Sequence, residues 1–128
     1  MIKECIVCIV SIMAIILGNN MTQNYSNEVM DNVLQEISNL KIQIINNEDN
    51  EKLKSQLNKI EEKWSSEHSN LAYFLEHDEL EKIETSLTKL KTNIEIKNYS
   101  DATVETDEEV YLINHLKEKN TFNLENIF

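Results

Sequence analysis

The apolar residues between Trp64 and Ile94 recur at the spacing of one helix face. The regular part of this seam is formed by Leu80, Ile83, Leu87, Leu90 and Ile94, with charged residues between them. Such three- and four-residue steps are typical of an amphipathic α-helix. Upstream, Leu71, Phe74 and Leu75 continue slightly out of phase, as in a stripe that rotates around a helix to touch two neighbours. Since no Gly or Pro interrupts the run, the pattern predicts one helix of about eight turns over Trp64–Ile94.

The rest of the body shows the same periodicity in three further stretches. The predicted helices span residues 27–45, 51–66 and 102–119. Each has one apolar stripe predicted to face inward: Met30, Val33, Ile37, Leu40 and Ile44 in the first, Leu53, Leu57, Ile60 and Trp64 in the second, and Val110, Ile113 and Leu116 in the third. Polar clusters at 46–50 and 98–101 predict turns. The first is predicted to contain a capping Asp or Asn, and Asp101 is the predicted N-cap after the second. Ser66 or Ser69 is the predicted cap of the long helix. Amphipathic helices joined by short turns predict an all-α, antiparallel bundle of about four helices.

The composition supports the helical prediction and argues against nucleic acid as a binding partner. The chain has 128 residues, no Pro and a single Gly, whereas sheet folds are usually punctuated by both. The formal net charge is -11, so phosphate backbones would repel the chain and nucleic-acid binding is not expected. All 12 basic residues are lysines, which leaves no guanidinium for bidentate phosphate recognition.

Residues 5–17 form an uncharged apolar run near the N-terminus. With its flanks it just reaches the roughly 17 residues that a membrane span requires, so residues 1–20 are predicted to be a signal-anchor. A signal peptide cleaved after Gly18 is the alternative. Lys3 is the one basic residue upstream, which places the N-terminus in the cytoplasm and the body outside the cell membrane. A polar linker is predicted over residues 19–27, followed by a helical bundle domain over 28–128.

Several residues of the body form a pattern similar to that of a known family. The pattern comprises Trp64, Leu71, Phe74, Glu76-His77-x-Glu79-Leu80, Ile83, Leu87, Leu90, Phe122-Asn123-Leu124 and Asn126-Ile127-Phe128. It resembles a domain-of-unknown-function family of small uncharacterised proteins from spore-forming, low-GC bacteria. The resemblance covers nearly the whole chain and implies a short N-terminal membrane segment followed by a helical domain. It implies no assigned activity, cofactor or catalytic residue.

The histidines of the chain do not form a recognised metal motif. His68 and His77 are nine residues apart, so one continuous helix would point them in nearly opposite directions and away from a joint site. Neither the paired Glu-x-x-His motif of di-iron bundles nor HExxH is present. One candidate for a weak divalent-metal site is left, formed by His77, Asp78 and Glu81. The alternative is a structural role for His77, and no cofactor is expected.

The sequence predicts that the protein is not an enzyme. The acidic clusters at residues 76–84 and 105–109 are interpreted as solvated helix faces, because a slim bundle leaves little room for a catalytic cleft between paired carboxylates. A single glycine cannot supply a P-loop or a dinucleotide-binding turn. The serines show no spacing with His and Asp that indicates a catalytic triad.

Aromatic side chains are the candidates for contact with a partner. Large rings dominate interface energies, which points to Trp64, Tyr73 and Phe74, and to Phe128 in the apolar C-terminus. The alternative interpretation of the first three is the packed centre of the bundle. The apolar C-terminus is expected to fold back onto the bundle, with docking to a partner as the alternative.

The functional hypothesis combines the anchor, the acidic bundle and the missing catalytic motifs. It is a membrane-tethered, extracytoplasmic helical protein that acts through protein contacts, as an accessory subunit or an envelope sensor. The alternatives are a weak divalent-metal binder and a secreted, signal-cleaved protein. The heptad-like seams also fit a homo-oligomer.

Overall fold

The computed structural model consists of four α-helices and short turns, which confirms the predicted all-α bundle. It describes the backbone of residues 1–125 and the side chains of residues 1–121. The helices are α1 (Ile2–Ile45), α2 (Asn50–Leu71), α3 (His77–Glu95) and α4 (Tyr99–Glu125). Phe128 and the ending Asn126-Ile127-Phe128 lie outside the described residues.

The helices form a closed ring in which each packs against its neighbours in the chain and α4 returns to α1. The antiparallel course of α1 and α4 is marked by two ion pairs, Lys117 with Asp31 and Lys41 with Asp107. Two ends of the bundle result. We call the end that holds the α2–α3 turn, the C-terminal part of α4 and residues 21–25 of α1 the α2–α3 end.

The core consists of the apolar stripes that the sequence predicts. The stripes of the first three helices are buried at Val29, Met30, Val33, Ile37, Leu40 and Ile44, at Leu53, Leu57, Ile60, Trp64 and Leu71, and at Leu80, Ile83, Leu87, Leu90 and Ile94. Helix α4 differs, because its buried line runs through Ala102, Thr106, Glu109, Ile113 and Leu116. Val110, predicted to point inward, is only partly buried. The small side chains on this line let α4 approach its neighbours closely.

The single long helix predicted over Trp64–Ile94 is wrong, because a turn at residues 72–76 divides it. Leu71 and Leu75 both enter the core, and the Leu75 N–H donates to the Leu71 carbonyl at 2.8 Å. Glu76 then takes an extended backbone conformation, with ψ of 129°, and ends the helical path. The phase shift of the apolar residues therefore marks this turn, not a rotating stripe.

The two serines predicted to cap the long helix lie inside α2 instead. The Ser66 hydroxyl donates to the Lys63 carbonyl at 2.8 Å, a bond within the helix. Both predictions failed for the same reason, since α2 continues five residues beyond its predicted end at Ser66, to Leu71.

The polar linker predicted over residues 19–27 is also wrong, because α1 runs through it without a break. The stretch has no Gly or Pro, and Thr22 donates its hydroxyl to the Gly18 carbonyl at 2.9 Å. Ser26 is buried, and the Tyr25 side chain bonds to Glu67 on α2. These contacts outweigh the weak helix propensity of Asn and Ser, which costs roughly 0.5 kcal/mol per residue.

The N-terminal part of α1 stands clear of the bundle. Among the described residues, α1 is the one helix that is long and apolar enough to cross a membrane, judged by length and composition. Its most apolar window has a mean hydropathy of 2.0 and no buried residue. All residues from 2 to 18 are exposed, and the first buried side chain of the helix is Ser26.

The helix boundaries follow local capping. The Asp49 carboxylate accepts a hydrogen bond from the Glu51 N–H at 3.1 Å, so the capping role predicted for the 46–50 cluster is confirmed. The predicted N-cap Asp101 is wrong, because α4 begins at Tyr99 and the Asn98 side-chain oxygen accepts from the Asp101 N–H at 3.4 Å.

Replacing a core isoleucine should cost far more than replacing an exposed one. Ile83 is fully buried on α3, whereas Ile96 is exposed in the α3–α4 turn. We expect Ile83→Ala to lower the free energy of unfolding by about 2–5 kcal/mol, and Ile96→Ala to change it by less than about 0.5 kcal/mol. Chemical denaturation of the full chain in detergent measures both. Equal effects of the two substitutions would contradict the packing described here.

Candidate functional site

An open groove lies at the α2–α3 end, between α1 and the α2–α3 turn. Its volume is about 390 Å³, and its lining residues are Met21, Thr22, Tyr25, Asn70, Tyr73 and Phe74. None of these side chains carries a charge near neutral pH, so the groove suits apolar and aromatic contacts. It offers no pair of acidic and basic groups for proton transfer.

Tyr25 fixes one wall of this groove by joining α1 to α2. Its hydroxyl donates to the Glu67 carboxylate and accepts from the Asn70 amide at 3.3 Å. The hydrogen bond to Glu67 raises the pKa of the Tyr25 hydroxyl, and burial adds to the rise. The phenol therefore stays protonated at neutral pH and serves as a structural link.

The aromatic candidates separate into one core residue and two exposed ones. Trp64 is 2% exposed and belongs to the core, in line with the packed-centre interpretation. Tyr73 and Phe74 are 84% and 48% exposed, and their ring centroids are 6.4 Å apart in the α2–α3 turn. These two rings are the predicted contact residues that a partner can reach in the part of the chain whose side chains are described.

The prediction that His68 and His77 face nearly opposite ways on one helix is wrong. Because the turn at 72–76 places them on different helices, their ring centroids are 6.3 Å apart, with the rings nearly edge to face. Each approaches a carboxylate of α3: His68 Nε2 lies 3.5 Å from Glu84 Oε1, and His77 Nε2 lies 3.1 Å from Glu81 Oε1.

The candidate metal site at His77, Asp78 and Glu81 is brought together only in part. His77 meets Glu81 one turn later, and Asp78 and Glu81 line the same surface hollow on α3. Within the side chains that the structure describes, no three His, Cys, Asp or Glu groups converge closely enough to hold a metal ion. Metal binding at this site stays a prediction.

A buried carboxyl in α4 is the feature that sequence reasoning missed. Glu109 is 0% exposed, and neither of its oxygens has a hydrogen-bond partner among the described residues. Burial raises its pKa to about 8; the nearby Ser86 hydroxyl lowers it in part, and the charges of Glu108 and Glu105 raise it further. The carboxyl is therefore largely protonated at neutral pH, in a bundle interior that gives it no substrate access.

Glu79 is a second acidic residue that does not belong to a solvated face. It is buried at the start of α3, where Lys82 lies 2.9 Å and Lys119 3.2 Å from its Oε1 atom. The hydrogen bond from Lys82 holds the pKa of this carboxyl below its ordinary value, with Lys119 adding to the effect against the cost of burial. The interpretation of both acidic clusters as solvated faces is thus wrong at Glu79 and Glu109.

Comparison with known families gives a match to the family described as "Domain of unknown function (DUF4363)", over residues 20–127. The chain belongs to this family. The resemblance to a domain-of-unknown-function family is confirmed to that extent. Neither the curated proteins nor the solved structures give a match to the chain.

The DUF4363 match coincides with the structural division of α1. It begins at residue 20, directly after the exposed apolar part of α1, and includes all of α2 and α3. The groove, the two histidine–glutamate pairs and the buried Glu109 all lie within the DUF4363 region. The apolar run at 5–17 precedes it.

The buried carboxyl of this DUF4363 chain predicts a pH-dependent stability. Between about pH 4.5 and pH 8 the folded chain keeps a proton on Glu109 that the unfolded chain releases. The free energy of unfolding should therefore fall as the pH rises through this window, by up to about 5 kcal/mol in total. Glu109→Gln removes the titration, so we expect this variant to be more stable than the native chain at pH 8 and similar to it near pH 4.

Thermal unfolding followed by circular dichroism at both pH values measures this difference. Glu118→Gln is the matched control, because its side chain is exposed on the same helix, and it should show little change at either pH. A Glu109→Gln effect of the same size at pH 4 and pH 8 would rule out a buried, protonated carboxyl.

Proposed function

We propose that the chain is a membrane-tethered, non-catalytic helical protein whose bundle lies outside the cell membrane and acts by contact with another protein. An accessory subunit of an integral membrane protein or a small envelope sensor fits this description. The observation that carries the proposal is the unbroken course of α1, from a fully exposed apolar part into the bundle core. A helix that shows apolar side chains on every side calls for an apolar solvent.

The dimensions of α1 support a membrane span. Residues 2–18 extend about 26 Å along a helix, close to the roughly 30 Å of a bilayer's hydrocarbon core. Lys3 and Glu4 mark the start of this part, and Asn19 and Asn20 follow its end. Since the next basic residue after Lys3 is Lys41, the positive-inside rule favours an N-terminus in the cytoplasm.

An uncleaved anchor is favoured over a secreted protein by the position of Gly18. The residues around Gly18 lie inside a continuous helix, where the Gly18 carbonyl accepts from Thr22. The helix then continues into the bundle, where Val29 and Met30 belong to the core. This continuity supports an apolar part that stays attached to the folded body as an anchor.

A role in binding, and not in catalysis, is favoured by the character of the accessible surfaces. The groove at the α2–α3 end carries neutral side chains, and the one strongly perturbed carboxyl of the described part, Glu109, is enclosed in the core. Perturbed groups in catalytic sites face a cleft that a substrate can enter. The acidic surface, with a formal net charge of -11, favours a protein partner with basic or polar contacts.

Crosslinking on intact cells tests location and partner together. We expect a membrane-impermeant, lysine-reactive crosslinker to join the full-length, tagged chain to a reproducible protein partner, because its lysines after Lys3 all lie in the body. The matched control keeps residues 1–20 and carries an unrelated acidic helical bundle, and it should not capture the same partner. Capture only after cell lysis would place the body inside, and capture of no reproducible protein would refute the contact role. A product made of two copies of this chain alone would assign the contact to self-association.

A further inference from the structure

The α2–α3 turn exposes two aromatic rings although its neighbours are fixed in the core. Leu71 and Leu75 are buried on either side, and the Phe74 N–H donates to the Leu71 carbonyl at 2.9 Å. Tyr73 and Phe74 lie between these fixed points and project outward. The turn therefore holds the two aromatic rings in fixed positions at the surface. Exposure of the apolar Phe74 ring to water is unfavourable.

The rings lie at a defined height along α1. They share a groove with Met21 and Thr22, which places them about four residues beyond Leu17, where the apolar run ends. Four residues of helix correspond to about 6 Å. A bilayer's headgroup regions add about 5–8 Å on each side of the hydrocarbon core, so the aromatic pair falls within this layer.

The height is held by direct bonds between the helices. Tyr25 on α1 bonds to Glu67 and Asn70 on α2, and Asn70 is three residues from Tyr73. Since α1 has no break between its apolar part and Tyr25, the turn cannot move far along the membrane normal without unwinding the helix.

We infer that Tyr73 and Phe74 insert into the headgroup region of the phospholipid bilayer that the apolar part of α1 crosses. This inference rests on the membrane tether proposed above. Tyr and Trp gather at such interfaces because their rings are apolar and their polar atoms remain hydrated, and Tyr73 combines both properties beside the fully apolar Phe74. The bundle then stands with its α2–α3 end against the membrane.

The charges at this end are consistent with contact with a neutral lipid surface. Lys119 lies 2.7 Å from Glu76, which is two residues after Phe74, and 3.2 Å from Glu79. These pairs offset the acidity of the bundle next to the bilayer. Insertion should therefore occur in phosphatidylcholine vesicles and should not require anionic lipid.

Quenching by brominated lipid tests the insertion on the full-length chain. Tyr73→Trp and Phe74→Trp place a reporter in the turn, and Ile96→Trp places the same reporter in the exposed turn at the opposite end. The emission of buried Trp64 in the native chain is the background for all three. In phosphatidylcholine vesicles brominated near the headgroups, we expect about a twofold loss of the added emission for the first two variants and almost none for the third.

Each of the other possible outcomes refutes either the insertion or the membrane tether. If the chain floats with the vesicles after alkaline extraction but the Tyr73→Trp and Phe74→Trp reporters are no more quenched than the Ile96→Trp reporter, the insertion is refuted and the tether stands. If the chain does not float, the tether itself is refuted. If the two reporters in the α2–α3 turn are shielded from water in native membranes but remain exposed to water in pure lipid vesicles, the aromatic pair contacts a protein instead. That result also overturns the inference.

Discussion

Helix α1 has one unbroken series of backbone hydrogen bonds but two different environments along its length. Its N-terminal part is apolar on all sides and exposed from residue 2 to residue 18, whereas its C-terminal part buries one stripe, which includes Met30, Ile37 and Ile44. A helix satisfies its own backbone groups in either setting, so the series of hydrogen bonds can pass from one to the other without loss. Tyr25 lies at the transition and ties it to α2.

This constraint determines which end of the bundle lies next to the apolar part of α1. The course of α1 sets which end of the body faces its apolar part, and the antiparallel ring brings the α2–α3 turn to that end. Tyr73 and Phe74 therefore lie close to the end of the apolar part, since they share a groove with Met21, although they are 50 or more residues from it in the sequence. The far end carries turns at 46–49 and 96–98.

The interior of the bundle contains a compromise at α4. Its small residues Ala102 and Thr106 allow close packing, but the same buried line includes Glu109 beside Ser86. A protonated carboxyl without a hydrogen-bond partner costs stability, because it loses the bonds it makes with water. The stability of this bundle is therefore lower than its apolar core alone would give.

The apolar periodicity predicts the fold class and most of the core. It does not predict the helix boundaries and the buried positions that depend on polar residues. The stripes of α1, α2 and α3 follow from the sequence, because burial leaves a direct record in the spacing of Leu and Ile. The turn at 72–76 escapes prediction because it contains no Gly or Pro; the phase shift at Leu71 and Leu75 is its one signal. The continuity of α1 through 19–27 depends on contacts with α2, and the burial of Glu109 depends on the angle of α4, neither of which a single sequence records.

The continuity of α1 is the central claim, and a distance between its two parts tests it most directly. A chain carrying Cys5→Ala and Ser38→Cys has one labelling site in the apolar part, Cys8, and one on the exposed side of the bundle part. Double electron–electron resonance between spin labels at these sites, in detergent or lipid, should give a narrow distribution of distances centred at about 45 Å. This is the length of a straight helix over the 30 residues that separate the labels, at about 1.5 Å per residue. A broad distribution centred at shorter distances would mean that residues 19–27 are a flexible linker, and the fixed height of the α2–α3 end would then be lost.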